Sequence, residues 1–586
     1  MKFAVVNPLK LRPLRPFHIG SRTSDVLADP RAAAIFQEAF PQIAAMAKHL
    51  GPHASMSLGQ FMHYAGIPTS AAAQFWEDMK EVSAGASEPP RLAPSFEYED
   101  DGVQRASAIV DAPATGLQNE CFEVRLSGPS HGNPFVDVEL SATFTLGDES
   151  VEVGGFYDGN GQYIIRFLPR MPGSWIWSIE STSRSLDGLV GVVEIAASLL
   201  PGVVQVTDEF HFGFQDGTPY IPFGTTAYAW THQGDELEKT TLRTLADSPF
   251  TKIRMCVFPK SYDFNQNEPK YYAFEKDGEE WDYTRFNPVF FHHLEKRILQ
   301  LNELGIQADL ILFHPYDRWG FAEMGEAADD RYVRYIVRRL AAFPNIWWSL
   351  ANEWDFVWAK DAFDWERVGR IVTEEDHAGH LRSIHNGTTL YENDQDWITH
   401  ASIQGIGLFD AESVGTMRSR LKKPVVVDEA GYEGNVEQQW GNLTAIEEVH
   451  RAWSTTICGG YFTHGETYVN DRDELWWAKG GKLVGESPTR IAFLRQIIQE
   501  SPTGRLDPIR IGAAQHGAGV SGEYEIYYIG NRQPGAITLN LPADANASID
   551  VIDTWNMTIE TVTESASSPT RIDLPVRPWL AVRVRY

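Results

Sequence analysis

Asn345-Ile-Trp-Trp-Ser-Leu-Ala-Asn-Glu-Trp354 (NIWWSLANEW) is the stretch that decides the fold. Its residues 346–350 form a short, mainly apolar run, the pattern of a strand buried on both faces as in a parallel sheet. The run leads into an amide and a carboxylate, Asn352 and Glu353. A satisfied helix cap would explain such a pair. So would an active site, because parallel β/α barrels gather their reactive side chains at the C-terminal ends of the strands. Asn-Glu also occurs at 119–120, 267–268 and 302–303, in loop-like or helical surroundings. At 352–353 alone it closes an apolar strand.

Working outward, further apolar runs fall at 221–228, 252–258, 308–313, 383–385, 403–406, 425–427 and 461–463. Helical periodicity lies between many of them, for example at 289–304, 331–342, 362–375 and 443–457. Eight such alternations predict a (β/α)8 TIM barrel over 205–502. A doubly wound open sheet is the competing architecture. It would put a glycine-rich nucleotide turn after the first strand, but Ala-Tyr-Ala-Trp230-Thr-His232 stands there instead.

A second carboxylate closes the seventh run, Lys423-Pro-Val-Val-Val-Asp-Glu-Ala430. Strict alternation groups Val425, Val427 and Glu429 on one face, and Val426 with Asp428 on the other. Glu429 is the residue expected at the barrel mouth. Strands four and seven face each other across a barrel, which brings Glu353 and Glu429 together. Glycoside cleavage needs two carboxyls: one protonates the departing oxygen, the other attacks or orients water, and a spacing of about 5–5.5 Å gives retention. Their pKa values must be pushed apart. Arg254, on the second strand in Lys252-Ile-Arg-Met-Cys256, is the leading candidate to hold Glu429 ionised. Alternation would set Arg254, Cys256 and Phe258 inward, with Ile253, Met255 and Val257 toward the helices.

The flanks read differently. Residues 1–82 carry helical signals, with caps at Asp25 and Asp29-Pro30 and a second helical unit in SLGQFMHYAGIPTSAAAQFWEDMKEV. Residues 83–116 begin with the Ser/Ala/Pro/Gly-rich stretch 83–94 and read as a linker. From 117 to 200 the period becomes two, and FEVRL, PFVDVELSATFTL, QYIIRFL and SWIWSIE predict an Ig-like β-sandwich. Alternation returns over 503–586 and predicts a small C-terminal sandwich.

Asn-Glu on strand four, Glu on strand seven and Arg on strand two resemble the retaining glycoside hydrolases of clan A. The flanking segments CFEVRLSGPSHGNPFVDVELSATF, GFYDGNGQYIIRFLPRMPGSW and IDVIDTWNMTIE are similar to those of bacterial proteins that join an N-terminal sandwich, an apiosidase-like barrel and a C-terminal sandwich. The resemblance implies Glu353 as acid/base and Glu429 as nucleophile. It also implies that Asn352 hydrogen-bonds the sugar hydroxyl next to the anomeric carbon. It does not name the sugar.

Other strand ends suit a sugar pocket: His314 and Asp317 after strand three, His385 and Asn386 after strand five, Gln404 on strand six, His464 and Glu466 after strand eight. Clan A enzymes often carry a tryptophan near that last position, and this chain departs from the pattern. Trp230, Trp319, Trp354 and Trp358 can stack on sugar faces or pack in the core. His464 and Glu466 lack a third ligand, so no metal is expected, and no cofactor motif appears. Two alternatives remain open here: a non-catalytic carbohydrate-binding protein on the same scaffold, and a transglycosidase or lyase.

At 586 residues the chain needs several cores. A formal charge of −29 argues against nucleic-acid partners and anionic membranes. Pro and basic residues interrupt the N-terminus before any signal-peptide core forms, and Cys121, Cys256 and Cys458 have neither disulfide nor metal spacing. These features point to a cytoplasmic protein with an oligosaccharide or glycoside as partner. Exo action on short oligosaccharides suits that location. The sandwiches are read as structural supports or as contacts in a possible homo-oligomer.

Overall fold

The computed structural model describes residues 92–405, 411–511, 515–542 and 544–586, together with 15–17, 21, 23–47, 58, 61–62, 65–67 and 72–84. At its centre stand eight parallel strands: β1 (Gly224–Thr226), β2 (Lys252–Cys256), β3 (Gln307–Phe313), β4 (Ile346–Ala351), β5 (Leu381–Ser383), β6 (Ala401–Gln404), β7 (Val425–Glu429) and β8 (Tyr461–His464). Their order is β5-β4-β3-β2-β1-β8-β7-β6, and a parallel bridge between His385 and Ser402 joins the two ends into a barrel. Every apolar run of the sequence carries one of these strands; residue 406 of the sixth run lies outside the described residues.

Helices follow seven of the strands: Asp235–Ala246, Pro288–Glu303, Glu326–Leu340, Ala362–Glu375, Ala411–Leu421, Ala445–Ile457 and Ser487–Gln499. Sequence chemistry sets their starts. Asn287 accepts from the Val289 N–H ahead of Pro288, and Asp361 forms a reciprocal capping box with Asp364. Between β5 and β6 the chain, NGTTLYENDQDW, has too many turn formers to wind, and no helix forms there.

Inside the barrel the layer below the mouth is ionic. Lys252 Nζ donates to Asp309 Oδ2 and Asp428 Oδ1, each at 2.7 Å, with all three side chains buried. Arg254 Nη1 lies 3.6 Å from Asp309 and 3.8 Å from Asp428. Two cations thus meet two carboxylates, which offsets the desolvation cost of each. Ile253 and Met255 face the helices and Cys256 faces inward, as alternation requires. Phe258 does not face inward: β2 ends at Cys256, and Phe258 packs on Phe313 and Tyr332. At the opposite end, strands Val204–Thr207, His211–Phe214 and Pro219–Tyr220 plug the barrel, with Phe212 and Tyr220 against Trp347.

The N-terminal sandwich starts earlier than its period-two pattern suggests. Ile109–Asp111 and Thr115–Leu117, within the stretch read as linker, pair with Phe122–Ser127 and Val190–Ala196. Strand Glu149–Tyr157 is shared, pairing with Leu140–Leu146 through one half and with Gln162–Phe167 through the other. A buried ion network fixes this unit to the barrel helices: Arg166 and Arg339 both donate to Glu295, and Arg339 also to Asp158. The C-terminal unit has a six-stranded and a two-stranded sheet, and its Tyr524, Ile526 and Ala581 pack on barrel helices. Helices Thr23–Ala28, Pro30–Ala39, Pro41–Ala47 and Ala73–Lys80 enclose Phe36, Phe75 and Met79, and Trp358 packs against them. Residues 57, 59–60, 63–64 and 68–71 of the expected second helical unit, and 85–91 of the expected linker, lie outside the described residues.

Lys252→Met tests the ionic layer. It leaves two buried carboxylates with one fewer partner, which should cost about 3–5 kcal/mol in urea or thermal unfolding. Lys296→Met, at an exposed helix position, should stay within about 0.5 kcal/mol. Equal effects would show that the layer contributes nothing specific.

Candidate active site

Glu353 and Glu429 both come to the barrel mouth, by different routes. β4 delivers Asn352 and Glu353 directly, with the Asn352 N–H bonded to Phe313 O at 3.0 Å. Glu353 itself sits at φ 49°, ψ 58°, a left-handed conformation that costs a non-glycine residue of order 1 kcal/mol or more. Neighbouring bonds hold it there: Trp354 N–H donates to His385 O at 2.9 Å, and Asp355 accepts from the Gly387, Thr388 and Thr389 N–H groups.

β7 needs a slip. Val425 and Val427 face the helices, whereas Val426 and Asp428 face the interior. Strict alternation would therefore turn Glu429 outward, contrary to the face assigned from the sequence. The ladder with β6 shifts between Ile403 and Gln404, so that Ile403 pairs with Val427 but Gln404 with Glu429. The extra residue re-aims Glu429 into the mouth, the usual effect of a bulge beside an active site.

Tyr228, Arg254 and Asn352 lie between the two carboxyls. The Tyr228 hydroxyl, at the end of β1, bonds Glu429 Oε1 and lies 3.1 Å from Asn352 Oδ1. Arg254 Nη2 donates to the same Oδ1 at 3.1 Å. Because a guanidinium only donates, Asn352 must present its oxygen there and its Nδ2 to Glu353 Oε2, 3.1 Å away. Glu353 Oε2 also accepts from the Tyr316 hydroxyl. That leaves Oε1 as the oxygen that carries the proton of the acid form.

Around Glu429, Ser402 donates to Asp428 Oδ2 at 2.5 Å, so it accepts from His385 and fixes the hydrogen on His385 Nδ1. His385 Nε2 faces Glu429 Oε1 at 3.5 Å, so the ring donates to that carboxylate when both of its nitrogens carry hydrogen. With its amide nitrogen turned inward, Gln404 donates to Glu429 Oε2 and Asn386 O, each at 3.2 Å.

The two carboxyls are driven apart in pKa. Burial, and then the Glu429 charge, push Glu353 up to about 7. Burial also pushes Glu429 up, but His385, the Tyr228 hydroxyl and the Lys260 ammonium outweigh it and hold Glu429 below the usual carboxylate range. A proton donor and an anion on opposite strands can protonate a leaving group and attack or assist at an acetal carbon.

Arg254 points inward, but His385, Tyr228 and Lys260 are the main groups that lower Glu429. Arg254 pairs with Asp309 and Asp428 and orients Asn352. Several other expected residues lie off the mouth. Trp230 is fully buried, its indole directed at Met255 sulfur. Asp317 accepts from the Trp319 and Ala322 N–H groups and shapes the loop after β3. Trp319 donates to Glu268 on the rim. His314 bonds Phe258 O, with burial lowering it to about 3. Trp354 donates to Thr389 O and packs on Tyr391, while Asn386 accepts from the Gln404 N–H.

His464 has the outward parity of β8: it stacks on Phe250 and bonds Thr225. Glu466 accepts from Val484 and Gly485 N–H and anchors the following loop. Among the described residues, ligand atoms converge at Asp235, Glu238 and His293, but Arg297 already spans the first two at 2.5 and 2.6 Å. No metal site arises there.

Sequence reading passed over Tyr228, Lys260, Tyr316, Tyr432 and Trp477. Tyr228 closes the first run and Tyr316 lies within FHPYDRWG, so strand-end position was a usable signal for both. Trp477 comes from the short helix Trp476–Lys479, well past β8, and is carried back when Tyr228 N–H bonds its carbonyl at 2.9 Å. It stands edge-on to Tyr228 and beside Trp440, Tyr262 and Phe264. A loop, and not the end of β8, thus brings a tryptophan beside Tyr228.

Comparison with known proteins agrees with this geometry. Residues 207–486 match the family described as apiosidase-like, catalytic domain. Residues 118–182 and 514–585 match two domains of unknown function, DUF5060 and DUF5605. A crystal structure of a candidate glycoside hydrolase from Bacteroides vulgatus ATCC 8482 is 38% identical, covers 81% of this chain and 100% of its own, and has a TM-score of 0.76. A glycoside hydrolase family 5 protein from the same organism shares the fold at 15% identity and TM-score 0.53, over 66% of this chain and 94% of its own. No curated protein matches. The chain belongs to the glycoside hydrolases that carry an apiosidase-like catalytic domain, and it is a glycosidase with a carbohydrate substrate.

Glu353→Gln should reveal the raised carboxyl without any substrate. A carboxyl at about 7 in the fold and near 4.5 when unfolded contributes stability below 4.5 that is lost as pH rises toward 7. The glutamine variant has no such loss. It should gain on the wild type between pH 4.5 and 7, by up to about 3 kcal/mol in denaturant unfolding. A stability difference that ignores pH would contradict the assignment.

Proposed function

We propose that this glycosidase is a retaining enzyme that removes sugars from the ends of short oligosaccharides or glycosides by double displacement. The observation that carries the reading is two buried carboxyls at one mouth in different settings, Glu353 with Tyr316 and Asn352 and Glu429 with Tyr228 and His385, which raise the first to about 7 and keep the second below its usual range. Glu429, anionic, attacks the anomeric carbon. The bond to the leaving oxygen breaks as Glu353 gives that oxygen its proton, leaving a glycosyl ester on Glu429. Glu353, now ionised, takes a proton from water, whose oxygen displaces Glu429 and restores the starting state. Asn352, oriented by Arg254, offers its amide to the neighbouring sugar hydroxyl. Exo action is supported by the N-terminal helices, which pack on Trp358 just beyond Glu353 and can wall the cleft on that side.

The rate should fall as pH rises through about 7, where Glu353 loses its proton. Its acidic limb should lie below the ordinary carboxylate value of about 4.3, because Glu429 stays ionised there. Glu429→Ala should lose about three orders of magnitude or more in turnover, and azide should restore part of it as a glycosyl azide of inverted anomer. Glu353→Ala should spare activated aryl glycosides, slow poor leaving groups severely and remove the basic limb. More than a tenth of wild-type activity in Glu429→Ala would exclude it as the nucleophile.

A further inference from the structure

Lys260 helps to keep Glu429 ionised but gives and takes no proton in the chemistry just described, and it lies among the rings of the site. Its side chain is buried, and Nζ lies 3.6, 4.2 and 4.4 Å from the ring centres of Tyr228, Tyr316 and Trp477. Two of those rings bear the hydroxyls that bond Glu429 and Glu353, so the ammonium stands between the reacting carboxyls. It pulls both of them down electrostatically, but no carboxylate lies within ion-pair distance of it among the described residues. The cations below it differ: Lys252 has two carboxylates at 2.7 Å, and Arg254 has Asp309 and Asp428.

The groups next to it share its character. Tyr432 Oη and Trp477 Nε1 are buried with no well-formed hydrogen bond among the described residues, and the Tyr432 hydroxyl lies near Trp477, Tyr228 and Glu429. Tyr432 stands beside Trp477, and the Glu429 charge keeps its phenol protonated by raising it well above its ordinary value, after burial. The Lys260 ammonium is therefore a donor without an acceptor, and the Trp477 indole and the Tyr432 phenol belong to the same cluster. A buried ammonium left without an acceptor is costly, so a ligand that supplies one gains that contact. A sugar hydroxyl accepts at most two hydrogen bonds and must also donate one. A carboxylate accepts about four, donates none and carries the charge that Lys260 lacks.

We propose that the sugar whose bond is broken carries a carboxylate, that is, a uronic acid, and that Lys260, with Tyr432 and Trp477 beside it, receives that group. Aromatic faces hold the empty ammonium by cation–π attraction, and the substrate carboxylate completes it. This rests on the barrel mouth being the glycosidase site, and extends it to the substrate class.

Calorimetric titration of the full-length protein with D-glucuronate, D-galacturonate, glucose and galactose tests this without turnover. At least one uronate should bind roughly tenfold to a hundredfold tighter than its matching hexose, the scale of a charge-assisted contact. Raising the salt should weaken that preference. Lys260→Met should abolish it, while Lys260→Arg should keep part of it. Equal or tighter hexose binding, an unchanged preference in Lys260→Met, or no heat with either uronate would overturn the proposal. Tight hexose binding would leave the two-carboxylate mechanism standing. Failure of azide rescue at Glu429 would overturn that mechanism and leave this binding result untouched.

Discussion

Lys252 bonded to Asp309 and Asp428 in the dry interior of the barrel is the constraint on which the site depends. Three strands meet in that contact, β2, β3 and β7, and Ser402 and Thr463 tie β6 and β8 to the same Asp428. Charges buried this deeply are tolerable only with their partners in place. The network therefore fixes the register of five strands just below the mouth. From it, Arg254 reaches up to orient Asn352, and Ser402 sets the hydrogen on His385. The orientation of the groups around Glu353 and Glu429 is inherited from a layer that touches no substrate.

The mouth itself is held against local cost. Glu353 occupies a left-handed backbone conformation and keeps its carboxyl away from the charged form. Glu429 enters through a slip in the β6–β7 ladder. Asp355, hydrogen-bonded to the loop after β5, steadies the first. The Tyr228, His385 and Gln404 contacts steady the second. Rigid support around a strained pair is what sets two like groups to opposite tasks.

Much of this was legible in the chain. All eight barrel strands announce themselves as apolar runs, because a parallel sheet buries both faces and needs no alternation. Asn352 and Glu353 stand out because polar residues at such an end have nothing to pack against. Where the reading failed, the cause lies in tertiary structure. Alternation gave Glu429 the right destination for the wrong reason, since a ladder slip leaves no mark in VVVDE. Arg254 was matched to Glu429, whereas its nearest carboxylates are Asp309 and Asp428, the residue beside Glu429 on β7. His464 looked like a mouth residue at a strand end, but its parity turns it toward Phe250. Trp477 could not be placed at all, because a loop carries it back to Tyr228. The sandwich boundary was read too late because Ile109–Asp111 and Thr115–Leu117 are too short to show a period.

The central claim is that Glu429 and Glu353 have distinct, fixed roles at one carbon. It is tested most directly by trapping. An aziridine or epoxide cyclitol opens only when an enzymic acid protonates the ring nitrogen or oxygen and a carboxylate attacks from the other side. Full-length protein treated with a panel of such reagents, in uronic and neutral configurations, is digested and analysed by mass spectrometry. The account predicts a single adduct, on the peptide containing Glu429, with labelling that slows as pH rises through about 7 and is suppressed in Glu353→Gln. An adduct on another carboxylate, or labelling of Glu429 that persists undiminished in Glu353→Gln, would contradict it.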